Sequence, residues 1–174
     1  MKRRGVFRGA IAGMLMGIGF AAVGWSGASR AASETATPLG TVLVIDGKVA
    51  GGKPVAFDLG KLKSLPVTRV TTMTPWTDGE NFFEGVRVRD LLDRLGAAGT
   101  MLLADAIDDY QTPIPMEDVR DYDVIIAYAM NGKPLPRDDK GPLWIIYPYS
   151  EHSRLQKDLY FSRSVWQLNR LTVQ

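Results

Sequence analysis

The sequence has no cysteine and only one histidine, and these two shortages exclude several kinds of site. Without cysteine the chain has no disulfide, no thiolate metal ligand and no thiol nucleophile. With His152 alone, a metal site built from several histidines is excluded, and a Ser-His-Asp triad depends on one residue. The sequence also lacks a Gly-x-Ser-x-Gly elbow, a Gly-x-Gly-x-x-Gly turn and a P-loop, so neither a hydrolase nor a nucleotide-binding protein is indicated.

Long apolar runs are equally scarce, and the clearest one lies at residues 9–23, directly after a basic segment. A small-residue site follows at Ser29-Arg30-Ala31, which completes the pattern of a secretory signal peptide. The alternative is a retained membrane anchor, but a bilayer span needs about 20 apolar residues. We therefore expect a cleaved signal peptide at residues 1–31 and a periplasmic protein that does not insert into the membrane afterwards.

The net charge of the whole chain is misleading. Of the 21 basic residues five lie in residues 1–31, none of the 19 acidic residues does, and the formal charge therefore changes from +2 to −3 when that segment is removed. The basic character belongs to the export signal. No nucleic-acid partner is expected.

Hydrophobic patterning predicts a flexible lead-in at residues 32–40 and one domain at residues 41–174. The fold class is α+β, mixed and mostly β, with few short helices, because the βαβ alternation of a doubly wound sheet is absent. Asn131-Gly132 predicts a tight turn. Strands are predicted at residues 41–45, 55–57, 67–73, 101–104, 123–130, 143–147 and 162–173. Helices are predicted at residues 86–95, after Asp58, and at residues 116–119.

Two polar segments after predicted strands are candidates for ligand binding. Thr74 and Trp76 lie in a turn-rich loop, where an exposed indole suits stacking on a flat ring. The alternative is that Trp76 folds back as a lid on the core. Asp109 and Tyr110 end an acidic segment that includes Asp108, whose carboxylates suit either a ligand edge or a solvated turn.

The C-terminal third supplies the remaining candidates. His152 and Arg154 follow an apolar strand, and a lone histidine there is either structural or functional. Arg163, Ser164 and Trp166 place a cation, a hydroxyl and an indole together near the end of the chain. Strand alternation across this segment predicts that Trp166 faces the core.

The order of several short motifs resembles the molybdopterin-binding domain of the sulfite oxidase family. The resemblance covers residues 41–173 and implies that fold. The motifs that carry it are Phe83-Glu84-Gly85-Val86 before Arg89-Asp90-Leu91-Leu92, Asp109-Tyr110, Asn131-Gly132-Lys133-Pro134-Leu135, Lys140-Gly141-Pro142-Leu143 before Tyr147-Pro148, and Ser164-Val165.

The sequence departs from the family pattern at two positions. The family's molybdenum is bound by a cysteine in the loop after the strand that corresponds to residues 67–73, and this chain has none. Thiolate is the soft ligand that such a metal site requires. The family's lysine that helps to hold the cofactor phosphate is replaced by Trp166. Both departures favour an unphosphorylated pterin over molybdopterin, and a binding protein without catalytic residues over an enzyme.

The sequence is similar to a smaller group with this fold, the cysteine-less periplasmic pterin-binding regulators of membrane cyclic-di-GMP enzymes. That resemblance implies a relay from pterin occupancy to the periplasmic segment of a membrane signalling protein. From chemistry alone, Trp76 or Tyr110 would stack on the ring, Asp109 would accept from its 2-amino and N3 groups, and Arg154 or Arg163 would donate to its O4 side. Two alternatives stay open: a molybdopterin-dependent oxidoreductase with unusual metal ligation, and a protein-binding module with an empty pocket.

Overall fold

The computed structural model describes residues 40–174, which contain ten strands and four short α-helices. The predicted signal peptide and nearly all of the predicted lead-in lie outside the described residues. The strands are β1 (Thr41–Gly47), β2 (Val55–Asp58), β3 (Thr68–Met73), β4 (Glu80–Arg87), β5 (Met101–Ala106), β6 (Gln111–Pro115), β7 (Ile125–Met130), β8 (Lys133–Pro134), β9 (Trp144–Ile146) and β10 (Leu168–Val173). The helices are α1 (Leu59–Lys63), α2 (Val88–Arg94), α3 (Met116–Asp121) and α4 (Asp158–Ser162). The predicted mostly-β fold class with few short helices is confirmed.

The strands form two sheets. The first has the order β2-β1-β10-β5-β6, and the second has the order β3-β4-β7-β8 with β9 also paired to β7. β1 and β10 run parallel, whereas the other pairs of named strands in the described part of the chain are antiparallel. No helix within residues 40–174 has the length and apolar character needed to cross a membrane.

The hydrophobic core consists of two clusters on opposite faces of β7. Ile126 belongs to the larger cluster, which also contains Leu43 of β1 and Leu102 of β5 from the first sheet. Ile125 and Ala127 belong to the smaller cluster on the other face of the second sheet. Both faces of β7 are therefore covered, which explains its continuous apolar run.

The smaller cluster contains the fully buried rings of Trp144 and Phe83. Two further aromatic side chains, Trp76 and Trp166, pack against this cluster and are only partly buried. The prediction that Trp166 faces the core is confirmed in part, since Trp166 is half-buried and packs against the smaller cluster. Val165 is buried in the larger cluster, because this segment is not a regular strand: α4 ends at Ser162, and a single bridge between Trp144 and Trp166 precedes β10.

Other predictions of local structure need correction as well. The helix predicted from Val86 begins at Val88, because Val86 and Arg87 complete β4, which was not predicted. β6 and α4 were not predicted either. The predicted N-cap of α1 is confirmed, since the Asp58 carboxylate accepts a hydrogen bond of 2.7 Å from the Lys61 backbone N–H.

The tight turn predicted at Asn131-Gly132 is present between β7 and β8. Both residues have positive φ, 52° and 74°, as a two-residue hairpin turn of the mirror-image type requires. Asn131 also ties the turn to β4, because its side-chain oxygen accepts from the Phe82 backbone N–H at 3.1 Å. The hairpin therefore fixes the edge of the second sheet beneath the loop that carries Trp76.

Candidate functional site

A cavity of about 250 Å³ opens beside the smaller core cluster, where the end of β5, the end of α4 and the loop after β3 meet. Its wall is largely aromatic and apolar. The lining residues are Trp76, Ala106, Asp108, Tyr110, Phe161, Ser162, Ser164, Val165 and Trp166. Pockets for drug-sized ligands have volumes of about 300–1,000 Å³, so this cavity suits a smaller ligand with a flat, apolar face.

Trp76 is at the centre of the aromatic wall. Its ring centroid lies 5.6 Å from that of Trp166, 5.9 Å from that of Phe161 and 5.8 Å from that of Trp144, each in an edge-to-face arrangement. Edge-to-face contacts at these distances stabilise aromatic pairs. The interlocked rings form a preformed surface on which a planar ligand can lie.

The loop that carries Trp76 is held by a polar network. The amide nitrogen of the buried Asn81 donates to the Thr77 hydroxyl and to the backbone carbonyls of Asp78 and Gly79, at 3.0–3.2 Å. Asn131 in turn donates to the Asn81 side-chain oxygen at 2.7 Å. The loop is thus anchored to the second sheet, which fixes the position of the indole.

The part of the cavity wall that contains Ser164 is fixed by hydrogen bonds of that residue. The Ser164 hydroxyl pairs with the Tyr149 hydroxyl, and its backbone carbonyl accepts from the Trp144 indole N–H at 3.2 Å. Burial raises the pKa of Tyr149, and the hydrogen bond with Ser164 partly offsets that rise. Tyr149 therefore stays a neutral phenol that holds the wall.

A nearly buried ion pair lies behind this wall. Arg163 Nη1 is 2.7 Å from Asp118 Oδ2, and the same oxygen accepts from the Tyr147 hydroxyl at 3.0 Å. Burial and the negative charge of Asp118 raise the pKa of Tyr147. The ion pair connects α3 to the segment between α4 and β10.

The structure brings together some of the predicted site residues. Trp76, Tyr110 and Ser164 line the same cavity. Thr74 lies in a smaller neighbouring cavity, which shares Phe161 with the first one. The indole and the phenol that were expected to stack on a ring therefore line one cavity.

The other predicted residues do not line the cavity. Arg163 is directed to Asp118, and Asp109 does not contribute to the lining, although its neighbour Asp108 does. His152 and Arg154 lie together at Tyr122, with the imidazole centroid and the guanidinium carbon each 5.0 Å from the Tyr122 ring centroid. Their contacts indicate packing roles in this conformation.

Six of the lining residues were not among the predicted site residues: Ala106, Asp108, Phe161, Ser162, Val165 and Trp166. Phe161 gave no signal, because its helix α4 was not predicted. Trp166 was predicted to face the core, and Asp108 was considered only as part of the acidic segment. The available signal was the presence of two aromatic residues, Phe161 and Trp166, in one short stretch near the C-terminus.

The described part of the chain does not group three metal-ligating side chains of the His, Cys, Asp or Glu type. None of the residues that line the cavity is basic. The wall therefore offers stacking surfaces, hydroxyl groups and one carboxylate, which suit a ring with hydrogen-bond donors at its edge.

Comparison with known proteins identifies the family. The family model described as "Oxidoreductase molybdopterin binding domain" matches residues 36–173. A curated relative, the uncharacterized oxidoreductase YuiH of Bacillus subtilis (strain 168), is 31% identical over 103 residues, which are 55% of this chain and 52% of the relative. The chain thus spans about half the length of the curated relative that it matches.

A solved structure with the same fold is that of the sulfane dehydrogenase SoxCD from Paracoccus pantotrophus. The TM-score is 0.57 and the identity 22%, over 75% of this chain and 37% of the other. At this identity the likeness concerns the fold alone. The resemblance to a molybdopterin-binding domain, expected from the order of short motifs, is confirmed by the family match.

Proposed function

The chain belongs to the oxidoreductase molybdopterin-binding domain family, and from that premise we propose that it is a periplasmic pterin-binding protein that works without bound molybdenum. We further propose that it relays the presence of its ligand to a membrane signalling protein, such as a cyclic-di-GMP enzyme. The observation that carries the proposal is the cavity wall, which is lined by the aromatic rings of Trp76 and Trp166 and by no basic side chain of the described residues.

The residues present do not fit complete molybdopterin with its metal and phosphate. Molybdenum in this family is bound by a cysteine thiolate, and the chain contains no cysteine. A phosphate calls for a cation or for a helix N-terminus. The basic side chain next to the wall, Arg163, already pairs with Asp118 at 2.7 Å. A pterin ring alone matches the wall better, because it requires neither a thiolate nor a cation.

A pterin would use both kinds of group that the cavity offers. Its flat bicyclic ring suits the indoles of Trp76 and Trp166 and the phenol of Tyr110. Its amino-pyrimidinone edge carries donors that the polar side of the cavity would receive. The ring would be held by burial of its faces and oriented by that edge.

The mouth of the cavity supports a docking role. Five large hydrophobic side chains are exposed within residues 40–174. Of these, Tyr110 lines the cavity, Ile107 lies between the lining residues Ala106 and Asp108, Met73 lines the neighbouring cavity, and Leu159 lies in α4 three residues before the lining Ser162. Tyr110 reaches Ser162 through its hydroxyl, which donates to the Ser162 carbonyl at 2.8 Å, and the Ser162 hydroxyl donates to the Leu159 carbonyl at 2.8 Å. We call the exposed side chains of Met73, Ile107, Tyr110 and Leu159 the rim. A partner that packs against the rim would respond to whether the cavity is filled.

Calorimetry with a reduced, unphosphorylated pterin tests the binding proposal. The purified protein is titrated under anaerobic conditions, with a phosphorylated pterin as the comparison. We expect a saturable heat with the unphosphorylated ring and weaker binding of the phosphorylated one, because no basic side chain of residues 40–174 lines the cavity. Absence of heat with every pterin would refute the proposal.

The relay is tested in cells with rim variants. Ile107→Asp and Leu159→Asp should keep pterin affinity but change cellular cyclic-di-GMP, because a charge is introduced where the partner would pack. Val67→Asp is the matched control, since Val67 is 56% exposed but is not among the residues that line the cavities described above. Equal cyclic-di-GMP in all three variants and in the unaltered protein would contradict the relay.

The second candidate function is an oxidoreductase with unusual metal ligation. It is favoured by the names of the relatives, an oxidoreductase and a dehydrogenase. Elemental analysis of protein exported by its natural host distinguishes the two functions. Stoichiometric molybdenum would establish the second candidate and refute the first.

A further inference from the structure

We infer that β3 is an interaction surface at which two copies of this chain pair edge to edge. β3 is an edge strand of the second sheet, because β4 is its one strand partner in the described part of the chain. Pairing of β3 with the same strand of a second copy would extend the second sheet across both molecules. The inference is independent of the proposed ligand, and its test contains none.

The open edge of β3 carries backbone groups without a partner. Successive residues of a paired strand direct their N–H and C=O groups to opposite edges. Met73 directs its N–H away from β4, since that group donates to the Ser150 hydroxyl at 3.0 Å. By alternation, the N–H and C=O groups of Arg69 and Thr71 face the open edge as well, and no other group within residues 40–174 is hydrogen-bonded to them. Such a row is a template for pairing with another chain.

The other strand edges in the described part of the chain are protected. In β6, Pro113 and Pro115 have no N–H to donate, and β8 consists of two residues, of which one is Pro134. At β2, the Lys61 ammonium donates to the Ala56 carbonyl at 3.4 Å. The segment before β10 covers β9. Proline, lysine and short length are common protections of edge strands, and β3, with six residues, has none of them.

The one charged side chain of β3 does not block its open edge. The Arg69 guanidinium carbon lies 4.7 Å from the ring centroid of Phe82, and Nη2 lies 2.7 Å from Glu84 Oε1. Phe82 and Glu84 both belong to β4, so these contacts hold the guanidinium over the second sheet. A second copy could therefore approach the edge without removing an unpaired charge from water.

The residues around the unpaired groups match a two-fold axis. Val67 and Met73 are each three residues from Val70, and both are 56% exposed. If two β3 strands run antiparallel around Val70, Arg69 of each copy lies opposite Thr71 of the other. Each of these two pairs would exchange two hydrogen bonds, which satisfies every unpaired group named above. Val67 of each copy then lies opposite Met73 of the other, and the two apolar side chains cover one another.

The ends of the strand fit the same register. Pro66 directly precedes Val67, and Ser150 occupies the N–H of Met73, so the hydrogen-bonded pairing ends at the same place in both copies. One pair of strands is a small interface compared with the roughly 1,200 Å² at the lower end of stable complexes. We therefore expect a weak dimer that forms with rising concentration. Because Met73 is also a rim residue, a second copy and a signalling partner would compete for it.

Cysteine cross-linking tests the pairing and its register. The chain contains no cysteine, so each introduced thiol is the sole one. Val67→Cys and Met73→Cys are purified separately and are oxidised mildly, alone and as a mixture. In the proposed register the Cα atoms of these two positions in different copies are about 5.5 Å apart, within disulfide range. Equal positions are about 20 Å apart, from six residues of strand rise.

We expect a covalent dimer in the mixture and little in either protein alone. Val67→Cys mixed with Leu159→Cys is the matched control, because Leu159 is 54% exposed but belongs to α4. A mixture that cross-links no more than this control would refute the inference. A covalent dimer formed by Val67→Cys alone would indicate parallel strands and would overturn the two-fold register.

Sedimentation equilibrium over a range of concentrations measures the dimer without cross-linking. Thr71→Pro removes one outward N–H from each copy but no hydrogen bond to β4, and Thr71→Val keeps the N–H. We expect the dissociation constant of the dimer to rise by about 10–100-fold in Thr71→Pro, for two lost hydrogen bonds, and to stay similar in Thr71→Val. Thermal unfolding checks that both variants are folded. An average mass that is the same in Thr71→Pro and in the unaltered protein at every concentration would refute the inference.

Discussion

At the scale of single residues, Trp76 has the most connections in the candidate site. It contacts three other aromatic rings, and Asn81 and Asn131 hold the loop from which it projects. A large side chain that is fixed before the ligand arrives loses little conformational entropy on binding. Trp76 therefore has the features of an anchor for a flat ligand.

The first prediction concerns this anchor. Trp76→Ala should weaken pterin binding by about 1–3 kcal/mol, the range for aromatic anchors in binding sites, and Trp76→Phe should weaken it less. Affinity is measured by calorimetry. Val67→Ala is the control for removal of an exposed apolar side chain. An affinity that is unchanged in Trp76→Ala would remove Trp76 from the site.

The second prediction concerns the two buried phenols, Tyr147 and Tyr149. Burial raises their pKa above the value of about 10 in the unfolded chain, so the folded protein holds their protons more tightly. Their contribution to stability is complete below pH about 10 and is lost as the pH rises through the folded-state pKa. The free energy of unfolding in urea should therefore fall above pH about 10, with a slope of up to about 1.4 kcal/mol per pH unit for each phenol.

A matched variant isolates that effect. Tyr147→Phe should lower stability at neutral pH, because its hydrogen bond to Asp118 is lost, but should make the decline above pH about 10 less steep. An identical decline in Tyr147→Phe and in the unaltered protein would show that this buried phenol is not responsible.

The sequence predicted some of the residues that line the cavity but not how the chain brings them together. Trp76 and Tyr110 were predicted as candidates and line the cavity, because an aromatic residue in a polar loop is a local signal. Asp108 and Trp166 also line the cavity but were not predicted to face a ligand, because their positions depend on the reversal at Asp109 and on the end of α4 at Ser162. Neither feature is visible in a pattern of apolar residues.

At the scale of elements, the missed strands have a common cause. β4 contains Gly85, and β6 contains Pro113 and Pro115, which are depleted in strands. β6 tolerates its prolines at the edge of the first sheet, and β4 is stabilised by pairing on both sides. The strands that were predicted, such as β1 and β7, are rich in β-branched or apolar residues. Their own sequences therefore indicate a strand, without knowledge of the strands with which they pair.

The third prediction concerns Gly85, where β4 and β7 approach closely. A Cβ atom at this position would lie 2.1 Å from the Ile126 carbonyl oxygen, so Gly85→Ala requires the two strands to separate. We expect a loss of about 1–3 kcal/mol in the free energy of unfolding, the range for overpacked interiors.

Gly60 in α1 is the contrast for this substitution. A Cβ there would lie 3.1 Å from Asp58 Oδ1, a side-chain atom that has to shift only by a few tenths of an ångström and can keep its cap bond to the Lys61 N–H. Gly60→Ala should therefore cost much less than Gly85→Ala in the same urea titration. Equal losses for the two variants would show that the approach of β4 to β7 is not the cause.

At the scale of the whole molecule, the charge distribution supports the proposed export. The formal charge of +2 combines a basic segment at residues 1–31 with a remainder of −3. The fourth prediction is that the protein recovered from the periplasm begins at Ala32, because cleavage is expected after Ala31. N-terminal sequencing and mass spectrometry measure this, and an intact residue 1–31 segment in the membrane fraction would support the anchor instead.

The position of β10 has a consequence for biosynthesis. β10 lies between β1 and β5 in the first sheet, although its residues 168–173 follow all other strands in the chain. Until they leave the ribosome, the pairs β2-β1 and β5-β6 have no strand to join them, and their inner edges stay open to wrong partners. A nascent chain therefore completes this sheet only after all the other strands have been synthesised, so chaperones have a long interval in which to bind it before it folds.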